Sequence, residues 1–275
     1  MESLRADGYE VVGVDRGDLD LTDAAAVTAR VRAEAPTELY HLASPSFVPR
    51  SWEDPVEATR VGTLAAVALL EAVRSVDPSI RFVHASSAEV FGVPAETPQR
   101  ETTPFRPRSP YGAAKAFATS LVTAYRERYG LHAGSAILFN HESPRRSLEF
   151  LPAKVARGVA DIAAGRAREL VLGDLDAKRD WGYAPDYVQA MRLMASHETS
   201  DDYVIATGEL HTVQELVELA FAHAGLDWRE HVRVDDALRR GETHALVGDA
   251  SKARAELGWR PSVSFEQLVA LLVDA

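Results

Sequence analysis

Short apolar runs alternate with longer segments of helical periodicity along most of the chain. Tyr9 to Val14 (YEVVGV) reads as a buried strand. Thr22 and Asp23 supply polar caps for a helix over Ala24 to Glu34. Glu38 to Leu42 is a short strand. Ala58 to Val73 (ATRVGTLAAVALLEAV) is helical and apolar on most sides, as in a buried helix. Ile80 to Ala85 (IRFVHA) is a strand running into small polar residues. Pro110 to Tyr129 is a long helix with proline in its first turn. Ala133 to Phe139 is another strand. This strand–helix alternation predicts a parallel sheet with helices on both faces.

The second half is less regular. Phe150 to Ala164 and Ala184 to Ser196 read as helices, and Leu170 to Leu172 and Tyr203 to Ala206 as short strands. Thr212-Val213-Gln214-Glu215 is a capping box opening a helix to about Ala224, and Ser264-Phe265-Glu266-Gln267 opens a last one. Pro94, Pro98, Pro104, Pro107 and Pro110 mark a long loop, a length that goes with function. The pattern divides into residues 1–141, with about 178–206 returning to them, and residues 142–275.

One expected feature is missing. A dinucleotide-binding sheet opens with a strand, a Gly-rich turn, a helix and a second strand. Residues 2–7 read as the tail of that first helix, with Gly8 as its C-terminal stop, and Val11 to Asp15 as the second strand. The expected fold is therefore α/β: a Rossmann-like, doubly wound parallel sheet lacking its first strand and Gly-rich turn, as in an N-terminally truncated chain. A smaller C-terminal α/β substrate domain follows.

Composition narrows the functional classes. At about 150 residues per domain, 275 residues make one large domain or two small ones. Thirty basic and 41 acidic residues give a net charge of −11, which argues against nucleic acid as partner. Without cysteine there is no disulfide, thiolate zinc site or cysteine nucleophile. The nine histidines show no metal-ligand spacing, so no metal is expected. No apolar run is long enough to span a membrane, and MESLRADGYE lacks the apolar core of a secretory signal, so the expected compartment is the cytoplasm.

The sharpest chemical signal is Tyr111-Gly-Ala-Ala-Lys115. Positions i and i+4 share a helix face. An ammonium beside a phenol favours phenolate and is expected to lower the tyrosine pKa toward neutrality. Such a base takes a proton from a sugar hydroxyl while hydride leaves the carbon. Ser87 and Glu89 follow a strand end, where open α/β sheets build their sites. Ser87 is placed to bond a substrate hydroxyl, and Glu89 is a candidate base or acid. Asn140-His-Glu-Ser-Pro-Arg-Arg146 also follows a strand, and its two guanidinium groups suit a diphosphate. Lys178 and Arg179 are further phosphate candidates. Each motif also has a plain structural reading: a strand-end cap, a solvated carboxylate, a basic turn.

Together these residues resemble the extended short-chain dehydrogenase/reductase family, and within it the GDP-mannose 4,6-dehydratases. The most specific stretches are ILFNHESPRR and LDAKRDWG, with support from SWEDPVEATRVGTLAAVALLEAV, ETTPFRPRSPYGAAKAFA and GDASKARAELGW. The resemblance implies an NADP-dependent nucleotide-sugar lyase that converts GDP-mannose to GDP-4-keto-6-deoxymannose. It implies that Ser87, Glu89, Tyr111 and Lys115 are catalytic. Tyr111 would take the C4 hydroxyl proton as hydride passes to NADP+, and Glu89 would take the C5 proton and help water leave C6. Cofactor contacts would come from Arg16, Asp20, Leu21, Leu42, Ala43, Tyr111, Lys115, His141 and Arg146. Substrate contacts would come from Ser87, Asn140, Arg145, Lys154, Arg179 and Arg239.

The sequence also departs from that family. The Gly-rich turn is absent, which weakens the expected cofactor affinity. Ala88 stands where the family has a polar residue, and Gly225 to Asp249 is short. Only a few residues separate Arg16 from Asp20, where the dehydratases carry a longer loop, so a homodimer is expected rather than a tetramer. Asp15 beside Arg16 keeps NAD open as the alternative cofactor. A nucleotide-sugar epimerase or 4-ketoreductase, or an inactive binding subunit, remain the competing readings.

Overall fold

The structure is a computed structural model describing residues 1–238 and 245–275. In chain order its elements are α1 (Glu2–Ala6), α2 (Ala24–Glu34), β1 (Glu38–His41), α3 (Arg50–Glu53), α4 (Pro55–Val76), β2 (Arg81–Ala85), α5 (Pro110–Tyr129) and β3 (Ala133–Leu138). Then come β4 (Asn140–Glu142), α6 (Leu151–Ala163), β5 (Leu170–Leu172), β6 (Lys178–Arg179), β7 (Trp181–Tyr183), α7 (Ala184–Ser196) and β8 (Tyr203–Ile205). The last are β9 (His211–Thr212), α8 (Val213–His223), β10 (Val232–Val234), α9 (Ser251–Glu256) and α10 (Phe265–Val273).

The main sheet is parallel, in the order β1-β2-β3-β8. Side chains alternate across it as the period of two requires. Phe82 packs with α2, α4 and α5 through Val27, Leu70 and Val122, while Val83 and Ala85 pack with Tyr187, Met191 and Met194 of α7. Both faces are therefore covered, as the apolar strands predict. A separate core joins α6, α8 and α10 around Leu172, Trp181 and Phe221. Short ladders pair β4 with β7, β5 with β10 and β6 with β9.

Side-chain caps fix the starts of α2, α4, α5, α8 and α10. The Asp54 carboxylate accepts from the Glu57 amide at 3.0 Å, so α4 starts at Pro55, earlier than its apolar stripe suggests. Both expected capping boxes form, at Thr212 and Ser264. Gly8 ends α1 with φ +84°, donating its amide to the Arg5 carbonyl. Arg192 of α7 holds α1 through Ser3 and Asp7.

The strand expected over Tyr9 to Val14 does not form. These residues join no ladder, and Tyr9, Val12 and Val14 are exposed. A strand persists only where a neighbour takes its backbone groups. Among the described residues, the edge strand β1 pairs with β2 alone. An apolar run with no partner strand stays irregular.

Helices α4 and α5 meet closely at Gly62, where an added Cβ would lie 2.8 Å from the Ala114 Cβ. Gly62→Val is expected to cost about 1–3 kcal/mol by overpacking. Chemical denaturation should show it, and an unchanged midpoint would mean that the helices separate freely.

Candidate active site

Strand β2 delivers its last residues to one end of the sheet. The Ser86 amide still bonds the Ala136 carbonyl of β3, at 2.8 Å. Ser87 then caps a single 3-10 turn, Ala88–Val90, accepting from the Glu89 amide at 3.2 Å. Helix α5 begins beside this turn because Ser109 caps it, bonding the Gly112 amide at 3.0 Å, with Pro110 at its first position. A Cβ on Gly112 would sit 2.6 Å from the Glu89 carbonyl oxygen. Only glycine lets the Glu89 turn lie against the first turn of α5. That contact puts Ser87, Glu89 and Tyr111 on the same side of the sheet.

Lys115 is 4% exposed, and its Nζ donates to the Ala85 carbonyl at 2.6 Å. It lies over the Tyr111 ring, 5.9 Å from its centroid. Ser86 and Thr119, 2.6 Å apart, pin the same helix face to β2.

The expectation of a phenol lowered toward neutrality is overturned. Burial pushes Tyr111 up to about 12; a hydrogen bond with Ser87 and the charge of Arg146 oppose the rise, and Glu89 adds to it. Burial also pulls Lys115 down to about 8. Desolvation outweighs the pairing because the ammonium is spent on a backbone carbonyl. Burial raises the Glu89 carboxyl as well, opposed by the nearby charge of Arg179.

The end of β3 supplies a second group. Asn140, His141 and Glu142 form β4, held in parallel register by Trp181, Gly182 and Tyr183 of β7. The His141 Nδ1–H donates to the Phe139 carbonyl at 2.8 Å, leaving Nε2 as the acceptor. Its ring lies 5.0 Å from that of Tyr187, and burial lowers its pKa. A turn at Ser143 to Arg146 brings the Arg146 guanidinium back over Phe150, 3.4 Å from the ring centroid. Its Nε is 3.2 Å from Glu142 Oε2. Arg179 on β6 is half-buried, donating to the Lys178 carbonyl at 2.7 Å. Ser87, Glu89, Tyr111, Lys115, His141, Arg146 and Arg179 are thus linked by contact or by electrostatic influence.

The other sequence candidates make contacts of their own or follow strand ends. Leu42, 61% exposed, and Ala43 follow the end of β1. Exposed Arg16 pairs with Glu57 at 3.2 Å, and Asp20 accepts from the Thr22 amide and hydroxyl. Leu21 packs against the α2–α4 core. Arg145 pairs with Glu2 of α1 at 2.8 Å, and Lys154 donates to the Val171 carbonyl at 2.8 Å. Arg239 lies outside the described residues. The described residues hold no cluster of three or more histidines and carboxylates arranged for a metal. None of their helices is long and apolar enough to cross a membrane.

The donor set fits the nicotinamide-ribose end of a dinucleotide. The ammonium lies over the phenol ring, the guanidinium charge acts on both the phenol and the oriented imidazole, and the apolar Leu42 side chain stands open at the end of β1. Motif reading missed several supporting residues: Gly112, Glu142, Phe150 and the buried His41–His84 pair, whose Nδ1 atoms are 3.0 Å apart. It also missed Asp180, whose buried carboxylate ties Thr207, Gly208 and Gly248 together. Glu142 was legible as the i−4 partner of Arg146; the others depend on contacts between distant segments.

A parallel α/β sheet with tyrosine and lysine one helical turn apart beside a strand-end serine has the architecture of the short-chain dehydrogenase/reductase class. A profile of the family described as GDP-mannose 4,6 dehydratase matches residues 2–272. The chain belongs to that family. It is 47% identical over 260 residues to GDP-mannose 4,6 dehydratase 1 of Arabidopsis thaliana, covering 93% of this chain and 72% of that one. It is 43% identical over 276 residues to the GDP-mannose 4,6 dehydratase of Homo sapiens, covering 93% and 74%. Among solved structures, it resembles RMD from Pseudomonas aeruginosa complexed with NADPH (TM-score 0.88, 26% identity, 99% and 93% covered). It also resembles the UDP-glucose 4-epimerase of Thermus thermophilus in complex with NAD (TM-score 0.83, 30% identity, 99% and 93% covered).

The buried lysine has a consequence for stability. Between its folded value of about 8 and its ordinary 10.5, the folded chain has released a proton that the unfolded chain keeps. The contribution of Lys115 to stability therefore rises with pH across that window. Lys115→Met is expected to remove this rise. Urea unfolding of both proteins across the window checks it, and equal pH slopes would contradict a buried ammonium.

Proposed function

We propose that the protein is a lyase that converts GDP-mannose to GDP-4-keto-6-deoxymannose and water, using NADP. The observation carrying this reading is that the Glu89 turn packs on the first turn of α5 at Gly112 and that the Glu89 charge acts on the Tyr111 phenol. A simple ketoreductase or epimerase needs the phenol and the ammonium but no carboxylate to work at C5.

Tyr111 takes the C4 hydroxyl proton as phenolate, the form that the Ser87 hydrogen bond and the Arg146 charge favour against burial, and Ser87 is aligned to hold the same substrate oxygen. The chemistry supplied by bound NADP+ is hydride storage: what leaves C4 comes back to C6. The C4 ketone acidifies the C5 proton. Glu89, with a carboxyl raised by burial, accepts that proton and delivers it to the departing C6 hydroxyl, which leaves as water; the proton taken up by Tyr111 is then given to C5, which restores the hydrogen there and returns the phenol to its starting form. Lys115 and His141 hold the nicotinamide ribose, and Arg146 a neighbouring polar group of the cofactor. Leu42 and Ala43 line its path, and Arg16, Asp20 and Leu21 take the adenosine end. Arg16 favours NADP, and Asp15 beside it keeps NAD as the alternative. Asn140, Arg145, Lys154 and Arg179 receive the GDP-sugar, together with Arg239.

The reading divides the chain into a cofactor-binding domain, 1–141 with 178–206, and a substrate-binding domain, 142–275. It carries with it a cytoplasmic homodimer. Leu64 on α4 and Phe117 on α5 are both 45% exposed, on helices that pack side by side, and they suit burial against a second copy.

Incubation with GDP-mannose and catalytic NADP+ is expected to give a product lighter by one water, without accumulation of NADPH. Glu89→Gln should lower turnover by roughly 10²–10⁴-fold, the usual worth of a general acid–base group. Undiminished turnover in that variant would favour the epimerase or ketoreductase reading. Binding of GDP-mannose without turnover by the unaltered chain would favour an inactive binding subunit.

A further inference from the structure

Glu142 and Arg146 form an ion pair whose carboxylate takes no part in the proposed chemistry. The Glu142 side chain is 2% exposed and that of Arg146 24%. Their Oε2 and Nε are 3.2 Å apart, and neither atom makes a well-aligned hydrogen bond. Burial raises the Glu142 carboxyl to about 7 against the opposing charge of Arg146. An ion pair taken this far out of water gives little net stability, because desolvation offsets the attraction.

The pair does restrict the guanidinium. Arg146 is held by the Glu142 carboxylate at Nε and by the Phe150 ring, 3.4 Å from its Cζ. Phe150 is itself packed edge-on against Phe47, with ring centroids 5.5 Å apart. Glu142 is fixed in turn by the ladder register opposite Tyr183. No hydrogen bond among the described residues uses the two Nη groups of Arg146. From this position the Arg146 charge acts on the Tyr111 phenol and on the His141 ring.

We propose that Glu142 is a positioning residue, fixing the Arg146 guanidinium so that its terminal nitrogens stay available to the cofactor and its charge stays near Tyr111. This rests on the reading of Arg146 as a cofactor-binding residue. Glu142 itself touches neither cofactor nor substrate; its effect passes through Arg146.

A double-mutant cycle on NADP+ affinity, measured by calorimetry, tests it. Glu142→Gln is expected to weaken binding roughly tenfold in the otherwise unaltered protein and to have no further effect in an Arg146→Ala background, the signature of residues acting as one unit. Equal weakening in both backgrounds, or none in the unaltered protein, would overturn the proposal while leaving Arg146 in its assigned place. Unchanged affinity in Arg146→Ala alone would instead remove the cofactor role of Arg146, on which the proposal rests. If Glu142→Gln does not fold, Glu142→Asp keeps the charge but withdraws the carboxylate by one methylene, and the same cycle applies with the same outcomes.

Discussion

The hydrogen bond from Lys115 Nζ to the Ala85 carbonyl is the constraint on which the site depends. It ties the first turns of α5 to the carboxyl end of β2, where parallel strands direct their final residues to one rim. The Ser86–Thr119 contact and the backbone bond from Ser86 to Ala136 reinforce the same junction. With α5 fixed there, the phenol of Tyr111 cannot drift from Ser87. Because Gly112 carries no side chain, the Glu89 turn closes against the helix.

Burial dominates the electrostatics of this junction. Taking a phenol, an ammonium and a carboxyl out of water raises the first and third and lowers the second. All three are thereby biased toward their neutral forms. The expectation that lysine would ionise its tyrosine neighbour considered only the spacing along the helix. In the folded chain Lys115 faces a carbonyl, and the cation that lowers the phenol is Arg146, thirty-five residues away from Tyr111 in sequence. Arg179 acts in the same sense on Glu89.

The two halves of the chain are joined through strands too short to announce themselves. β4 and β7 pair over three residues, and β6 and β9 over two. At Asp180, between β6 and β7, a carboxylate accepts from Thr207, Gly208 and Gly248 and so ties the end of β8 to the C-terminal segment. Gln99 in the proline-rich loop bonds the same segment through Val247 and Asp249. These contacts bring Arg179 and Arg146 toward a site whose tyrosine, lysine and glutamate belong to the first half.

By itself the sequence determined the helices that open on a side-chain cap, such as α2, α5 and α8, and the apolar strands β2 and β3, because those signals lie within each segment. It also determined which residue types carry chemistry, since Tyr111 and Lys115 are one helical turn apart wherever that helix packs. The tertiary structure alone decided that Tyr9 to Val14 is not a strand, because a ladder needs a partner that no local pattern contains. It alone decided the protonation bias of the site and the pairing of Glu142 with Arg146 over Phe150, because burial and the approach of distant charges exist only after the chain has packed.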